Sequence, residues 1–433
     1  MSFLKVLGFD PAKHNVKTEI VAGITTFLTM AYILAVNPDI FSALEGMGMP
    51  KGAVFTATAL AAIVGTLVMS IYAKKPYALA PGLGLNAFFV YTVCLTMGYS
   101  WQFALTAVLI EGIIFIILTV TNVREAIINA IPKSMKSAVS AGIGLFIAFI
   151  GLVNAGIIVD DGGTIISLGT ITSGPALLAI VGLVITSVMM ILKVPGAMLI
   201  GIIVTAIIGI PFGITKFDGV VSAVPSVAPI FCKFEFHNIL TWDMIIVVFT
   251  FLFIDMFDTI GTVIGVSKKA NAMNPDGTIP GVKKVLMADA VATVWGAICG
   301  TSTTTTYVES ASGVAEGGRT GLTSFTVAIC FAIALFFAPV FLAIPSAATA
   351  PALILVGVMM MSSILDVDFN DFSECIPAYI CMIVMPLAYS ISDGIMLGMI
   401  SFVVLNALTG KFKKISVMMW ILAVLFILRY ILL

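Results

Sequence analysis

Five acids lie inside long apolar stretches of this chain: Glu111, Asp255, Asp258, Asp289 and Glu309. No Lys or Arg occurs at comparable depth in those stretches. A charge at the centre of a membrane helix costs at least ~2.5 kcal/mol. An acid without a basic partner there tends to hold a proton or to stand beside water. Such a group can take up and release a proton, and its oxygens can accept N–H groups from a polar solute. Asp255 and Asp258 are three residues apart, which puts them on one helix face. Counted from Trp242 at 1.5 Å per residue, Asp255 lies ~20 Å along its helix, near mid-bilayer. Glu309 follows the run Thr301-Ser302-Thr303-Thr304-Thr305-Thr306-Tyr307, whose β-branched residues favour extended backbone. It would open a half-helix, Val308 to Glu316, where free N–H groups and partial positive charge suit a carboxylate or a polar solute. The competing readings are a capping carboxylate for Glu309 and a helix–helix hydrogen bond for Asp258. Glu111, followed by Gly112 with no break, reads as a structural bond across a close helix interface. Asp289, near the end of its span, reads as reaching the membrane surface.

Other chemistry is poorly supplied. The two histidines, His14 and His237, fall outside the apolar stretches, and the six cysteines are scattered without metal-ligand or disulfide spacing. No His-Glu-x-x-His and no Gly-x-Ser-x-Gly occurs, so a membrane-embedded enzyme is disfavoured and neither a metal nor a cofactor is expected. Phe88, Phe89 and Phe253 could stack on a flat ring. With 30 Phe in the chain, a packing role is their default.

These residues must be positioned by membrane helices. The 433-residue chain is 60% hydrophobic and 10% charged, with a mean hydropathy of +1.17; soluble domains carry about 25% charged residues. Apolar segments of about 20 residues follow one another, each long enough to cross ~30 Å of hydrocarbon. Their near-continuous apolar character, without period-2 alternation, selects helices over a barrel. Spans are expected at 17–37, 53–73, 78–97, 101–121, 137–155, 174–192 and 195–211. After a loop at 212–241 come 242–266, 283–300, 301–317, 322–342, 346–364, 373–390 and 391–409. A further apolar segment, 416–433, follows Lys411, Lys413 and Lys414. The first segment follows a polar leader, lacks a cleavage pattern and reads as a retained span.

With the N-terminus inside, 17 of the 21 Lys and Arg fall on the cytoplasmic side, among them Lys74, Lys75, Arg124, Lys133, Lys136, Lys268 and Arg319. Only Lys51, Lys216 and Lys233 fall outside, and Arg429 lies in the final segment. This asymmetry fixes the expected orientation. The two halves also match: Ile131-Pro132 and Ile344-Pro345 each open the fifth segment of a half. The third segment of each half is interrupted, by Leu79-Ala80-Pro81-Gly82-Leu83-Gly84-Leu85-Asn86 in one and by the Thr run in the other. Seven segments per half imply an inverted repeat, and paired interruptions point to a transporter's midplane site.

Ile24-Thr25-Thr26-Phe27-Leu28-Thr29-Met30-Ala31-Tyr32-Ile33, the Ala80–Phe89 stretch, Asp255–Thr262 and Gly300–Ser310 together resemble the azaguanine-type (AzgA-like) hypoxanthine/guanine/adenine permeases. These belong to the wider nucleobase–cation symporter family, and the resemblance covers essentially the whole chain. It implies an all-α polytopic membrane protein of fourteen segments in two inverted seven-segment repeats, with short strand-plus-helix third and tenth segments. A core (about 17–121 and 242–342) would move against a gate (about 131–211 and 345–409), with 410–433 as an extra C-terminal helix. Carried over by position, Asp255 and Glu309 would be the principal purine ligands, supported by Asp258 and Asn86. Phe253, Phe88 and Thr306 complete the candidate site, and Asp255, Asp258 and Glu309 are the candidates for carrying the coupling proton. The resemblance further implies a homodimer in a cell membrane, the short loops suiting a bacterial inner membrane, with no nucleic-acid partner. Uracil-type relatives carry a His where this chain has Thr259, and xanthine-type relatives a Gln-Asn-x-Gly motif absent here; both departures favour purine transport. An anion transporter of the same architecture is disfavoured by the absence of any basic residue in 300–316.

Overall fold

The computed structural model describes residues 2–121, 131–217, 219–237, 239–270, 272–274 and 279–432. Arg124, assigned above to the cytoplasmic side, lies outside the described residues, as does the side chain of Lys268. Among the described residues, nine helices are long and apolar enough to cross a membrane, and shorter apolar helices complete the set.

The first segment is two helices, Val16–Met30 and Ile33–Phe41, joined by a turn at Ala31 and Tyr32. The second is Lys51–Val68, which continues in a wider turn to Ala73. The third begins as strand β1, Leu79–Pro81, becomes helical at Leu83–Ala87 and widens through Phe88–Thr96. Trp101–Thr121, Lys133–Asn154, Gly174–Ile191 and Ala197–Gly209 complete the first half. Between the fifth and sixth segments a hairpin forms from β2, Ile158–Asp161, and β3, Ile165–Leu168, an element the helical reading had not anticipated.

The second half repeats this plan with Trp242–Lys269 and Val282–Cys299, then strand β4, Thr304–Thr306, followed by the short helix Ser310–Ala315. Gly321–Ala334 continues through Ala338–Leu342. Ser346–Met361, Phe372–Leu387 and Ile391–Leu408 follow, and the helix Val417–Leu432 forms a fifteenth segment. Pro132 and Pro345 stand immediately before the fifth and twelfth helices, where a missing N–H costs no intrahelical bond.

The two interrupted segments meet. β1 and β4 pair antiparallel, with Leu79 opposite Thr306, Ala80 opposite Thr305 and Pro81 opposite Thr304. The pair is extended by Gly82 N–H to the Thr303 carbonyl (3.0 Å) and by Tyr307 N–H to the Ala78 carbonyl (2.9 Å). Backbone groups freed by unwinding are thus satisfied by each other within the protein, as lipid surroundings demand.

The helices fall into two packed groups. In one, the ninth segment lies on the second and fourth, and the eleventh on the first and second. In the other, the fifth packs on the twelfth and thirteenth, and the thirteenth on the fourteenth. Small residues set the close crossings of each group. A Cβ on Gly112 would come within 3.0 Å of the Val294 nitrogen, and one on Gly144 within 2.7 Å of the Gly357 carbonyl oxygen.

Candidate functional site

A cavity of about 500 Å³ lies between the two groups. One wall comes from the first, third, eighth and tenth segments: Tyr32, Gly82, Leu83, Gly84, Phe257, Asp258, Thr306, Tyr307 and Glu309. The opposite wall comes from the fifth and twelfth, through Val139, Ser140, Ile143, Val356 and Met360. Ser362, Ser363 and Asp366 line its far end, where exposed Lys133 pairs with Asp366 at 2.7 Å. Lys136 stands 5.7 Å from the Phe257 ring centroid. No Lys or Arg is among the lining residues.

Glu309 occupies the position before the short helix Ser310–Ala315, yet its side chain makes no capping bond. Its Oε1 instead accepts the Tyr32 hydroxyl at 2.7 Å. The capping alternative weighed from sequence is therefore not what the geometry shows. Tyr307 donates its hydroxyl to the Pro81 carbonyl at 2.6 Å, bracing one interrupted segment against the other.

Of the residues singled out from sequence, Glu309, Asp258 and Thr306 line the cavity, and Asp255, Asn86, Phe253 and Phe88 do not. Asp255 is fully buried, with Oδ1 3.0 Å from the Thr259 hydroxyl. That hydroxyl also lies 3.0 Å from Asp289 Oδ2 and 2.7 Å from Thr305 Oγ1. Residues three apart on a helix differ by about 60° in direction, enough to turn Asp258 into the cavity and Asp255 toward the ninth and tenth segments. Asn86, also fully buried, accepts the Ser302 hydroxyl and so ties the third segment to the tenth. Phe88 packs edge-on against Phe251 (4.8 Å) and Phe253 against Phe257 (4.6 Å). The aromatic ring facing the cavity from the eighth segment is Phe257.

Asp289 departs from its reading as an interfacial residue. It is fully buried, and its Oδ1 accepts the Thr306 N–H (3.1 Å) and hydroxyl (3.3 Å). Glu111, read as structural, is indeed bonded across an interface, accepting the Thr303 hydroxyl at 2.7 Å. These two carboxylates hold opposite ends of the unwound tenth segment.

Sequence reasoning passed over Tyr32, Tyr307, Glu19 and Asp39. Glu19 is buried and accepts the backbone N–H groups of Arg319 and Thr320 (3.1 and 3.2 Å) ahead of the eleventh helix. Asp39, also buried, accepts Ser346 and Thr349 across the boundary between the two helix groups (2.8 and 2.6 Å). Both acids stand near the ends of the first span, where a charge is cheap and carries little signal. Tyr32 sits at a break marked by neither Pro nor Gly.

The comparisons with known proteins agree with this geometry. The model described as "Permease family" (Xan_ur_permease) matches residues 17–397. The guanine/hypoxanthine permease PbuG of Bacillus subtilis (strain 168) is 45% identical, over 98% of each chain. The adenine permease AdeQ of Escherichia coli (strain K12) is 41% identical over 96% of this chain and 94% of its own. Among solved structures, the transmembrane domain of the cyanobacterial bicarbonate transporter BicA superposes with a TM-score of 0.65 at 16% identity, covering 89% of this chain and 97% of that one. The murine anion transporter Slc26a9 in the inward-facing state gives 0.68 at 12% identity, covering 94% and 70%. At such identities the two structures establish the shared inverted-repeat fold, and the sequence relatives establish the lineage. The chain is a multi-pass membrane transporter, not an enzyme, and belongs to the permease family whose members include guanine/hypoxanthine and adenine permeases.

Proposed function

We propose that this protein takes purine bases (hypoxanthine, guanine, adenine) into the cell together with protons, by alternating access. The observation that carries the proposal is the cavity itself, which presents the carboxylates of Asp258 and Glu309 and the ring of Phe257 and has no Lys or Arg among its lining residues. Carboxylates accept ring N–H and amino hydrogens, and the ring supplies a stacking face. The same surface repels anions, which argues against a substrate like those of the two structural neighbours. Kinship with PbuG and AdeQ supports a purine substrate.

In this reading the group holding the interrupted segments is the core, and the group built on the fifth, twelfth, thirteenth and fourteenth segments is the gate. The cavity ends near Lys133 and Asp366, on the side the Lys/Arg asymmetry assigns to the cytoplasm, so the conformation is open inward in a cell membrane with the N-terminus inside. Asp258 and Glu309 hold the base. Asp255 is the proposed proton acceptor behind them: a proton arriving there is bonded at once within the cluster of Thr259, Thr305 and Asp289 oxygens. A homodimer completes the proposed assembly.

The test is uptake of radiolabelled hypoxanthine, guanine and adenine into proteoliposomes under an imposed proton gradient, for wild type and Glu309→Gln. Accumulation abolished by a protonophore and greatly reduced by Glu309→Gln is the expected result. Absence of saturable purine uptake in tight vesicles would refute the assignment.

A further inference from the structure

We infer that Tyr32 is a positioning residue for substrate recognition: it fixes Glu309 so that a single carboxylate oxygen is offered to an N–H donor of the base. This deepens, and rests on, the purine-binding reading of the cavity.

The geometry starts in the first segment. Its helix stops at Met30 and resumes at Ile33, and the intervening turn carries Tyr32 to the cavity wall. Tyr32 is 1% exposed, so its ring is held by packing and its hydroxyl has little freedom to choose another partner. That hydroxyl donates to Glu309 Oε1 at 2.7 Å. A second contact acts on the same residue: Thr29 Oγ1 lies 3.5 Å from the Glu309 carbonyl oxygen, at the outer limit of a hydrogen bond.

The short helix after Glu309 is also laid directly on the first segment. A Cβ added at Gly313 would meet Thr26 Oγ1 at 2.1 Å and the Ala22 carbonyl oxygen at 2.3 Å. Backbone and side chain of Glu309 are therefore both referenced to the first segment. This matters because a free Glu side chain has several rotamers to lose on binding, and a pre-fixed one has already lost them.

The consequence is a specificity rule. Tyr32 supplies a donor to Oε1, which makes Oε2 the more open acceptor for a solute. With Asp258 on the same wall, the site presents acceptors at two places and selects planar solutes that carry N–H donors on matching edges. A solute with acceptors alone along those edges would give neither Asp258 nor Glu309 Oε2 a donor, a costly outcome in a confined site.

The experiment is Tyr32→Phe, which removes one oxygen and keeps the ring. Uptake kinetics of hypoxanthine are measured in proteoliposomes beside wild type, with thermal stability followed on the same preparations. The expected result is a KM raised several-fold, up to about tenfold, the size of immobilising one rotamer-rich side chain on binding, with Vmax per folded transporter within about twofold. A series of N-methylated hypoxanthines gives a second readout independent of protein yield. Methylating the N–H that meets Glu309 should weaken competition strongly in wild type and by several-fold less in Tyr32→Phe. An unchanged KM with Vmax falling in step with folded protein, or an unchanged methylation penalty, would overturn the role and leave Tyr32 a packing residue. Absence of base uptake by wild type would sink the parent reading and this inference together.

Discussion

Replacing Thr349 by Val removes one hydroxyl and keeps the side chain's shape, and it tests how the outer side is kept shut. Asp39, at the end of the first segment, is 4% exposed. Its Oδ2 accepts Thr349 at 2.6 Å and its Oδ1 accepts Ser346 at 2.8 Å, both from the start of the twelfth segment. Lys51 approaches Oδ1 to 3.7 Å. In the proposed cycle this carboxylate joins core to gate on the side away from the cavity's open end, so both bonds break when the outer side opens. A hydrogen bond to a charged group contributes about 1.5–3 kcal/mol. Lys51 and outer water can still partly serve Asp39, so the lower value applies. About 1.5 kcal/mol lost from the closed state alone multiplies the outward-open population by about ten. Because that state is the rare one, it is the state to probe. Thr92 lies on the same outer seam, buried, with Oγ1 3.5 Å from the Tyr389 carbonyl oxygen. In a Cys232→Ser background, which removes the exposed native thiol, Thr92→Cys reports outer opening through its reaction with an impermeant thiol reagent. Adding Thr349→Val should raise that rate about tenfold with thermal stability unchanged. An unchanged rate would mean that Asp39 is internal glue and that the outer closure resides elsewhere.

The remaining predictions concern other contacts between moving parts. A Cβ at Gly84 would come within 2.7 Å of Ile143 Cγ2, so Gly84→Ala should overpack the boundary by about 1–3 kcal/mol and slow uptake; Ile143→Ala in the same chain should restore it, and failure of that rescue would place the defect elsewhere. Arg429 on the fifteenth segment lies 3.2 Å from Asp393 in the fourteenth and 3.9 Å from Asp243 in the eighth. Arg429→Ala should therefore raise the Thr92→Cys labelling rate as Thr349→Val does, and an unchanged rate would make the helix a passive lipid-facing addition. Asp289→Asn weakens the acceptor for Thr306 and Thr259; it should lower thermal stability and uptake together, whereas a pure change in KM would assign Asp289 to the solute instead.

The fold was legible because each of its rules is written in composition. Apolar length gives the spans, Lys and Arg placement gives the expected sides, and Pro132 and Pro345 mark equivalent helix starts. The Thr run at 301–306 announced an extended segment because β-branched side chains crowd a helix and suit a strand. What sequence could not give was azimuth. Asp255 and Asp258 share a face in the coarse sense, yet only the second reaches the cavity, a difference settled by which neighbours the eighth helix packs on. The hairpin at Ile158–Leu168 escaped for a different cause: it is short, half exposed and embedded in a loop, so no apolar period reveals it.

The buried acids divide by what surrounds them, and that division explains why so many carboxylates occur in one apolar chain. Glu111 and Asp289 accept donors from the unwound tenth segment, whose Thr hydroxyls and N–H groups have no helix to serve them. Glu19 does the same for the N–H groups of Arg319 and Thr320. In each case the charge meets donors released by broken backbone geometry, so the acid and the break stabilise one another. Asp258 and Glu309 face the cavity, where in the proposed function a solute supplies the donors and leaves again. The interrupted tenth segment thus meets both kinds of acid: fixed ones that hold the interruption in place, and Glu309, which the interruption delivers to the cavity alongside Asp258 of the unbroken eighth helix.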